Sequence, residues 1–214
     1  MSTVIITPST SVYNDTLLVC SATVTDDDDG AIVPNYEWNV AGNTYPGSTL
    51  DLANTSAMPT DSVTCTATAM DMGASVISDS SSVTVENRSP SISSVLITPN
   101  SSIQTDTALL CSAMISDPDG ESLIATYQWD INGISAATGT ALILTSAISS
   151  PSDIITCTVD LADNYGAAVT DSAQVVIDNT NPVVDSIDFT PADPTRTDTV
   201  TCEATASDLD ADTP

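Results

Sequence analysis

The chain has 214 residues, a length that allows one or two domains. Its 29 acidic residues face only two basic ones, Arg88 and Arg196, and with no His the net charge is −27. Such a charge repels nucleic-acid phosphates and anionic lipid, so we expect no nucleic-acid partner. No run is apolar and long enough for membrane insertion.

Short apolar runs punctuated by Gly, Pro, Ser, Thr and Asn follow one another along the whole chain, without a helical period. This pattern predicts an all-β protein. In the middle of the chain, the predicted strands are A at 95–98, B at 108–115, C at 126–131, a further strand at 141–144, F at 154–161, and G ending near residue 177. Asn132-Gly133 predicts a tight hairpin after strand C.

Several motifs recur in one register about 91 residues apart. Ile6-Thr7-Pro8 returns as Ile97-Thr98-Pro99 and as Phe189-Thr190-Pro191, and Tyr36-Glu37-Trp38 returns as Tyr127-Gln128-Trp129. We therefore predict full repeats at 1–87 and 88–179 and a partial repeat at 180–214 that holds strands A and B alone. Because two strands cannot bury a sandwich core, we expect further chain or strand complementation by a neighbouring molecule to complete the third repeat.

Each full repeat carries a cysteine, a Trp about 18 residues later and a second cysteine about 28 residues after that: Cys20, Trp38 and Cys65, then Cys111, Trp129 and Cys157. This is the spacing of an immunoglobulin-like β-sandwich, in which the cysteines of strands B and F lie on facing sheets and the Trp packs in the core over their bridge. We predict one B–F disulfide per repeat and an oxidising, extracellular compartment. Reduced, buried cysteine pairs are the alternative, and a zinc site is disfavoured because no His and no C-x-x-C occur.

An acidic turn follows strand B in every repeat, at 26–30, 117–121 and 208–212. In this topology the B–C and F–G loops lie at the end where the domain begins, beside the preceding linker. Hard carboxylate and amide oxygens gathered there suit Ca²⁺. The candidate ligands are Asp26, Asp28 and Asp71 in the first repeat, Glu86, Asn87, Asp117, Asp119 and Asp163 in the second, and Asp178, Asn179, Asp208 and Asp210, with Asp212, in the third. A role in solubility without a bound ion stays open.

The Asp-Pro-Asp-Gly turn at 117–120 and the run Tyr-Gln-Trp-Asp-Ile-Asn-Gly at 127–133 resemble tandem immunoglobulin-like repeats of prokaryotic cell-surface proteins and adhesins. The acidic turn is also similar to those of cadherin-like and PKD-like repeats. The resemblance implies an extracellular stalk, adhesin or surface-layer role, sometimes with Ca²⁺ as a stiffener. The chain departs from antibody domains at Val63 and Ile155, where those domains carry the Tyr of the tyrosine corner.

We predict a structural spacer or fibre-forming segment of a surface filament, stalk or adhesin that associates with neighbouring repeats. We expect no enzyme activity, since the chain lacks a His base, a phosphate-binding loop and a nucleophile elbow. The alternative is an adhesion module whose loop ends bind a glycan or a protein, with Tyr45 and Tyr165 as candidate contacts. Because Met1 leads directly into a strand-like run, we expect a piece of a longer secreted chain.

Overall fold

The computed structural model of the protein describes residues 1–210, in which the regular structure is β-strand apart from one 3-10 turn at Leu52–Asn54. Within this range no helix has the length and apolarity needed to cross a membrane. The predicted all-β class is confirmed.

The first repeat is a two-layer sandwich. Its strands are β1 (Ile5–Thr7), β2 (Leu17–Ser21), β3 (Val24–Asp26), β4 (Gly30–Ile32), β5 (Asn35–Val40), β6 (Asn43–Pro46), β7 (Thr49–Asp51), β8 (Ser62–Met70) and β9 (Val76–Thr84). One sheet has the order β1-β2-β7 and the other β6-β5-β8-β9, while β3 and β4 form a separate hairpin. A disulfide between Cys20 on β2 and Cys65 on β8 joins the two layers, and Trp38 is buried in the same core.

The second repeat has the same two-sheet plan, and several of its strands are longer. They are β10 (Ser91–Thr98), β11 (Ala108–Ser116), β12 (Ile124–Ile131), β13 (Ile134–Thr138), β14 (Ala141–Ile143), β15 (Ile154–Ala162) and β16 (Ala168–Val176). The sheets have the orders β10-β11-β14 and β13-β12-β15-β16. The Cys111–Cys157 disulfide joins β11 to β15, and Trp129 lies in the core opposite Cys157. The predicted sandwich with one B–F disulfide per repeat is therefore confirmed.

Two further strands, β17 (Val183–Thr190) and β18 (Thr201–Ser207), form an antiparallel hairpin. Phe189 pairs with Cys202 in this hairpin, as Ile97 pairs with Cys111 in the second repeat. Phe189 is 58% exposed, and Cys202 is an exposed free thiol. The hairpin therefore has the register of a strand A–B pair. In each of the first two repeats a second sheet covers this pair, whereas the described part of the third repeat has no such sheet.

Two compact units divide the chain. Unit 1 contains Met1–Ser89 together with two turns, Asp117–Ser122 and Asp163–Ala167. Unit 2 contains Pro90–Ser116, Leu123–Ala162 and the described residues from Ala168 onwards. The units follow spatial contacts rather than the sequence repeat, so the repeat boundaries after residues 87 and 179 stay predictions.

Candidate functional site

Three carboxylates converge in unit 1, and we call them the acidic cluster: Asp117, Glu121 and Asp163. One oxygen from each lies within 4.8 Å of the others. Asp117 and Glu121 belong to the turn between β11 and β12, and Asp163 begins the turn between β15 and β16. Within residues 1–210 this is the one such group of three or more potential metal ligands.

Oxygens at the acidic cluster lack hydrogen-bond donors. Asp117 Oδ2 and both carboxylate oxygens of Glu121 are buried and have no partner. The Asn87 side chain lies beside them, because its Nδ2 donates to Asp163 Oδ2 at 2.7 Å, and its own Oδ1 is likewise buried without a donor. Buried carboxylate and amide oxygens without donors cost free energy unless a cation compensates them.

The ionisation of the cluster is uneven. Burial raises the pKa of Glu121, and the neighbouring charges of Asp117, Asp163 and Asp119 raise it further. Burial also opposes the ionisation of Asp163, but hydrogen bonds from Asn87 and from backbone N–H groups outweigh burial and lower its pKa. Two of these donors are Tyr165 N at 2.8 Å and Ala167 N at 2.9 Å. A proton or a cation is therefore favoured at Glu121.

Asp119 takes a different role from its neighbours in the turn. Its side chain is fully buried, and both of its oxygens accept from Arg88: Oδ2 from the backbone N at 2.7 Å and Oδ1 from Nε at 2.8 Å. Arg88 also donates to Asp15 Oδ2 and to Asn14 Oδ1, and its guanidinium lies 5.0 Å from the Tyr13 ring centroid. Asn14 Nδ2 in turn donates to the Asp119 carbonyl at 2.7 Å. We call Arg88, Asp119 and Asn14 the linker clamp.

The other predicted residue of this linker, Glu86, is also engaged. Its Oε1 accepts from the backbone N of Ser11 at 2.7 Å, and its own N donates to the Val12 carbonyl. Of the five ligands predicted for the second repeat, the structure thus brings Asn87, Asp117 and Asp163 together. The side chains of Glu86 and Asp119 instead accept hydrogen bonds from protein N–H groups.

Unit 2 contains a counterpart of the linker clamp in which uncharged donors hold the buried carboxylate. Asp210 is buried, and it accepts from Thr180 N at 2.6 Å, from Thr180 Oγ1 at 2.7 Å and from Thr105 Oγ1 at 2.9 Å. Asp208 Oδ1 accepts from Asp210 N. Asp178 N donates to the Ile103 carbonyl, and Asn179 Nδ2 donates to the Thr180 carbonyl. Asp212 lies outside the described residues. Thr180 stands at the linker position that Arg88 has in unit 1, so hydroxyls replace the guanidinium.

In the first repeat, two of the predicted ligands, Asp26 and Asp71, accept hydrogen bonds from backbone N–H groups of their own turns. Asp26 Oδ1 accepts from Asp28 N at 2.9 Å, and Asp71 Oδ1 accepts from Ser75 N at 2.8 Å. Gly30 occupies the sequence position that Glu121 has in the second repeat. Asp26, Asp28 and Asp71 therefore do not form a group like the acidic cluster.

Sequence reasoning missed two residues of the site, Glu121 and Arg88. Glu121 is the last residue of the acidic turn at 117–121, so the acidic composition of that turn was the signal that could have identified it. Arg88 is one of only two basic residues in a chain of net charge −27, and it lies in the linker. A single arginine close in sequence to many carboxylates was the signal that could have predicted the linker clamp.

No protein-family model matches the chain, and no curated protein matches it by sequence. Among solved structures, the chain is similar to a Ca²⁺-stabilised adhesin that helps an Antarctic bacterium bind ice, at 16% identity and a TM-score of 0.33 over 89% of this chain. The chain spans about half of that adhesin, 52%. It is also similar to an amphioxus IgVJ-C2 molecule, at 16% identity and a TM-score of 0.39 over 76% of this chain and 95% of that one.

A third similar structure contains the fibronectin(III)-like modules of Clostridium thermocellum CbhA, at 15% identity and a TM-score of 0.30 over 82% of this chain and 94% of that one.

Proposed function

We propose that the protein is a non-catalytic spacer segment of an extracellular or cell-surface repeat protein, and that a Ca²⁺ ion at the acidic cluster holds its linker. The observation that carries the proposal is the set of four buried oxygens without donors on Asp117, Glu121 and Asn87. Asp163, whose oxygens already accept protein hydrogen bonds, adds a third carboxylate from the adjacent turn.

The chemistry of these groups favours Ca²⁺ over other cations. Carboxylate and amide oxygens are hard ligands, and Ca²⁺ accepts six to eight of them in flexible geometry, whereas zinc prefers His and Cys. The chain has no His. Three carboxylates facing one another repel, and a divalent cation replaces that repulsion with attraction.

The arrangement of ligands along the chain suits a spacer. Asn87 lies in the linker, while Asp117, Glu121 and Asp163 lie in two turns distant in sequence. One ion bound to all of them would fasten the linker to both turns. At a free concentration 100 times its Kd, such an ion stabilises the folded state by about 2.7 kcal/mol.

The two disulfides support the proposed compartment, because such bonds persist in oxidising surroundings. The hairpin β17–β18 has an exposed apolar face. Its Phe189 and Ile187 are 58% and 59% exposed, whereas the corresponding Ile97 and Val95 of the second repeat are buried. We propose that strands of another repeat cover this face, as the four-stranded sheet does in the second repeat.

Calorimetric titration of Ca²⁺ into EDTA-treated protein tests the cation site. We expect measurable heat and a higher melting temperature with Ca²⁺. Glu121→Gln should weaken binding about 10-fold or more, equivalent to about 1.4 kcal/mol. The matched control is Glu37→Gln, which alters an exposed glutamate on β5. Absence of heat, together with a melting temperature that EDTA does not change, would refute the site.

Terbium luminescence gives a second reading of the same location. Tyr165 lies next to the acidic cluster, since its backbone N donates to Asp163. Burial raises the pKa of its phenol, and the charges of Glu121 and Asp163 raise that pKa further. Tb³⁺ bound there should be sensitised by this ring. Tyr165→Phe should remove most of the signal, while Tyr45→Phe should leave it.

A further inference from the structure

An apolar groove lies beside the β12–β13 hairpin of unit 2, with a volume of about 460 Å³. Its floor and walls are Ile131, Ile134, Ala136 and Ile148, and its polar rim includes Asn132 and Asp153. Ile134 is 73% exposed and Ile148 is 49% exposed. We call this the isoleucine groove.

The first repeat shows that the sandwich does not need these isoleucines. Counted from the core Trp, Ile134 corresponds to Asn43, and counted from the strand F cysteine, Ile148 corresponds to Ser56. The first repeat folds with both polar residues in place, and Asn43 pairs with Val40 in its β5–β6 hairpin. Exposure of large aliphatic side chains at positions where the fold accepts Asn and Ser points to a binding role.

The strand that borders the groove also differs between the repeats. In β12–β13, Trp129 pairs with Ala137 and Asp130 with Ser135, so Ala136 is an extra residue that forms a β-bulge. The β5–β6 pairing runs without such a shift. Bulges redirect side chains and are frequent beside binding sites, and here the bulged residue itself lines the groove.

The free edge of β13 is open to pairing. β13 is the terminal strand of its sheet. The equivalent edge strand of the first repeat, β6, carries Pro46 opposite Glu37, whereas Thr138 stands opposite Gln128 in β13. Proline on an edge removes a backbone donor and discourages strand addition. The second repeat lacks this protection next to its apolar groove.

We propose that the β13 edge and the isoleucine groove bind an extended basic peptide segment of a partner protein by strand addition. Backbone hydrogen bonds to β13 would supply affinity, and an aliphatic side chain of the peptide would fill the groove. Charge complementarity selects a basic partner, because the carboxylate of Asp153 lines the groove and the chain carries a net charge of −27. The site is independent of the acidic cluster.

The test uses the whole chain and a capped peptide, Lys-Val-Lys-Ile-Lys-Val-Lys, with fluorescence anisotropy as the readout. The double variant Ile134→Asn/Ile148→Ser installs the residues that the first repeat already carries. We expect it to bind the peptide at least 10-fold more weakly than the wild type. A peptide with Pro in place of both Val residues, or Glu in place of all Lys residues, should also lose at least 10-fold.

Equal binding of the peptide by wild type and double variant would overturn the proposal, because general charge attraction would then explain the binding. Equal binding of the Pro-containing peptide would overturn strand addition, and no binding to the wild type at 1 mM peptide would overturn the site. Self-association of the wild type that the double variant abolishes would make a second copy the occupant and would also overturn it. If the double variant is unstable, Ile134→Asn alone serves the same comparison, since Ile134 is mostly exposed.

Discussion

The linker clamp makes a quantitative prediction for Arg88→Met. The substitution keeps an apolar stem of similar length but removes the guanidinium from Asp119, whose side chain is fully buried. Removing one partner of a buried ion pair typically costs 3–5 kcal/mol. Asp119 keeps the bond from the backbone N of residue 88, so we expect the lower end, about 3 kcal/mol. The exposed pair with Asp15, whose side chain is 57% accessible, adds little.

Urea unfolding at pH 7 measures this cost. In a Trp129→Phe background, Trp38 is the remaining tryptophan, and its fluorescence reports on the repeat that belongs to unit 1. Arg196→Met is the matched control, since Arg196 is the other basic residue and is exposed. The control should stay within about 0.5 kcal/mol of the reference protein.

A double-mutant cycle with Asp119→Asn isolates the pair. We expect the double variant to be about 2 kcal/mol more stable than the sum of the single effects predicts, because residues in direct contact couple. The reasoning would be refuted if Arg88→Met were as mild as Arg196→Met, or if the two single effects simply added.

Three more predictions concern other parts of the fold. Replacing Cys111 and Cys157 by Ala removes a disulfide between residues 46 positions apart. In the chain-entropy model this loss costs about 4 kcal/mol, which urea unfolding of the second repeat measures. A loss under about 1 kcal/mol would contradict that model. Hydrogen bonds from Thr180 lower the pKa of Asp210. Its carboxylate therefore stabilises the folded state fully above the ordinary Asp pKa of about 4, and this stabilisation is lost as the pH falls through the lowered pKa. Asp210→Asn should therefore lower the melting temperature at pH 7 but not in acid, and a constant difference across this range would be inconsistent. Cys202 is exposed and free, so Ellman's reagent should titrate one thiol in the native protein, and additional thiols before reduction would mean that a disulfide is missing.

Local patterns in the sequence were sufficient to predict the architecture. Strand C was expected at 126–131 and spans Ile124–Ile131, where Trp129 and Ile131 are buried and Tyr127 packs against the same core. Strand B was expected at 108–115 and spans Ala108–Ser116. At the predicted hairpin, Asn132 and Gly133 have φ angles of 50° and 78°, as a two-residue turn between twisted strands requires.

These features are predictable because each depends on neighbours in the chain. A period of two residues sets which side chains of a strand face inward, and a cysteine–tryptophan–cysteine spacing identifies which strands face each other. The sequence alone therefore determined the all-β class, the two sandwiches and their disulfides, and it limited the candidate ligands to the acidic turns, the F–G turns and the linkers.

Tertiary structure alone decided which acidic residue does what. Asp117 and Asp119 are two positions apart and chemically identical, yet one has a buried oxygen without a donor and the other is held by Arg88. The difference arises from contacts with distant residues, such as the bond from Asn14 to Asp119 across 105 positions. The partner of a carboxylate depends on distances and directions in space, and a separation of two positions along a tight turn is enough to point it at a different neighbour.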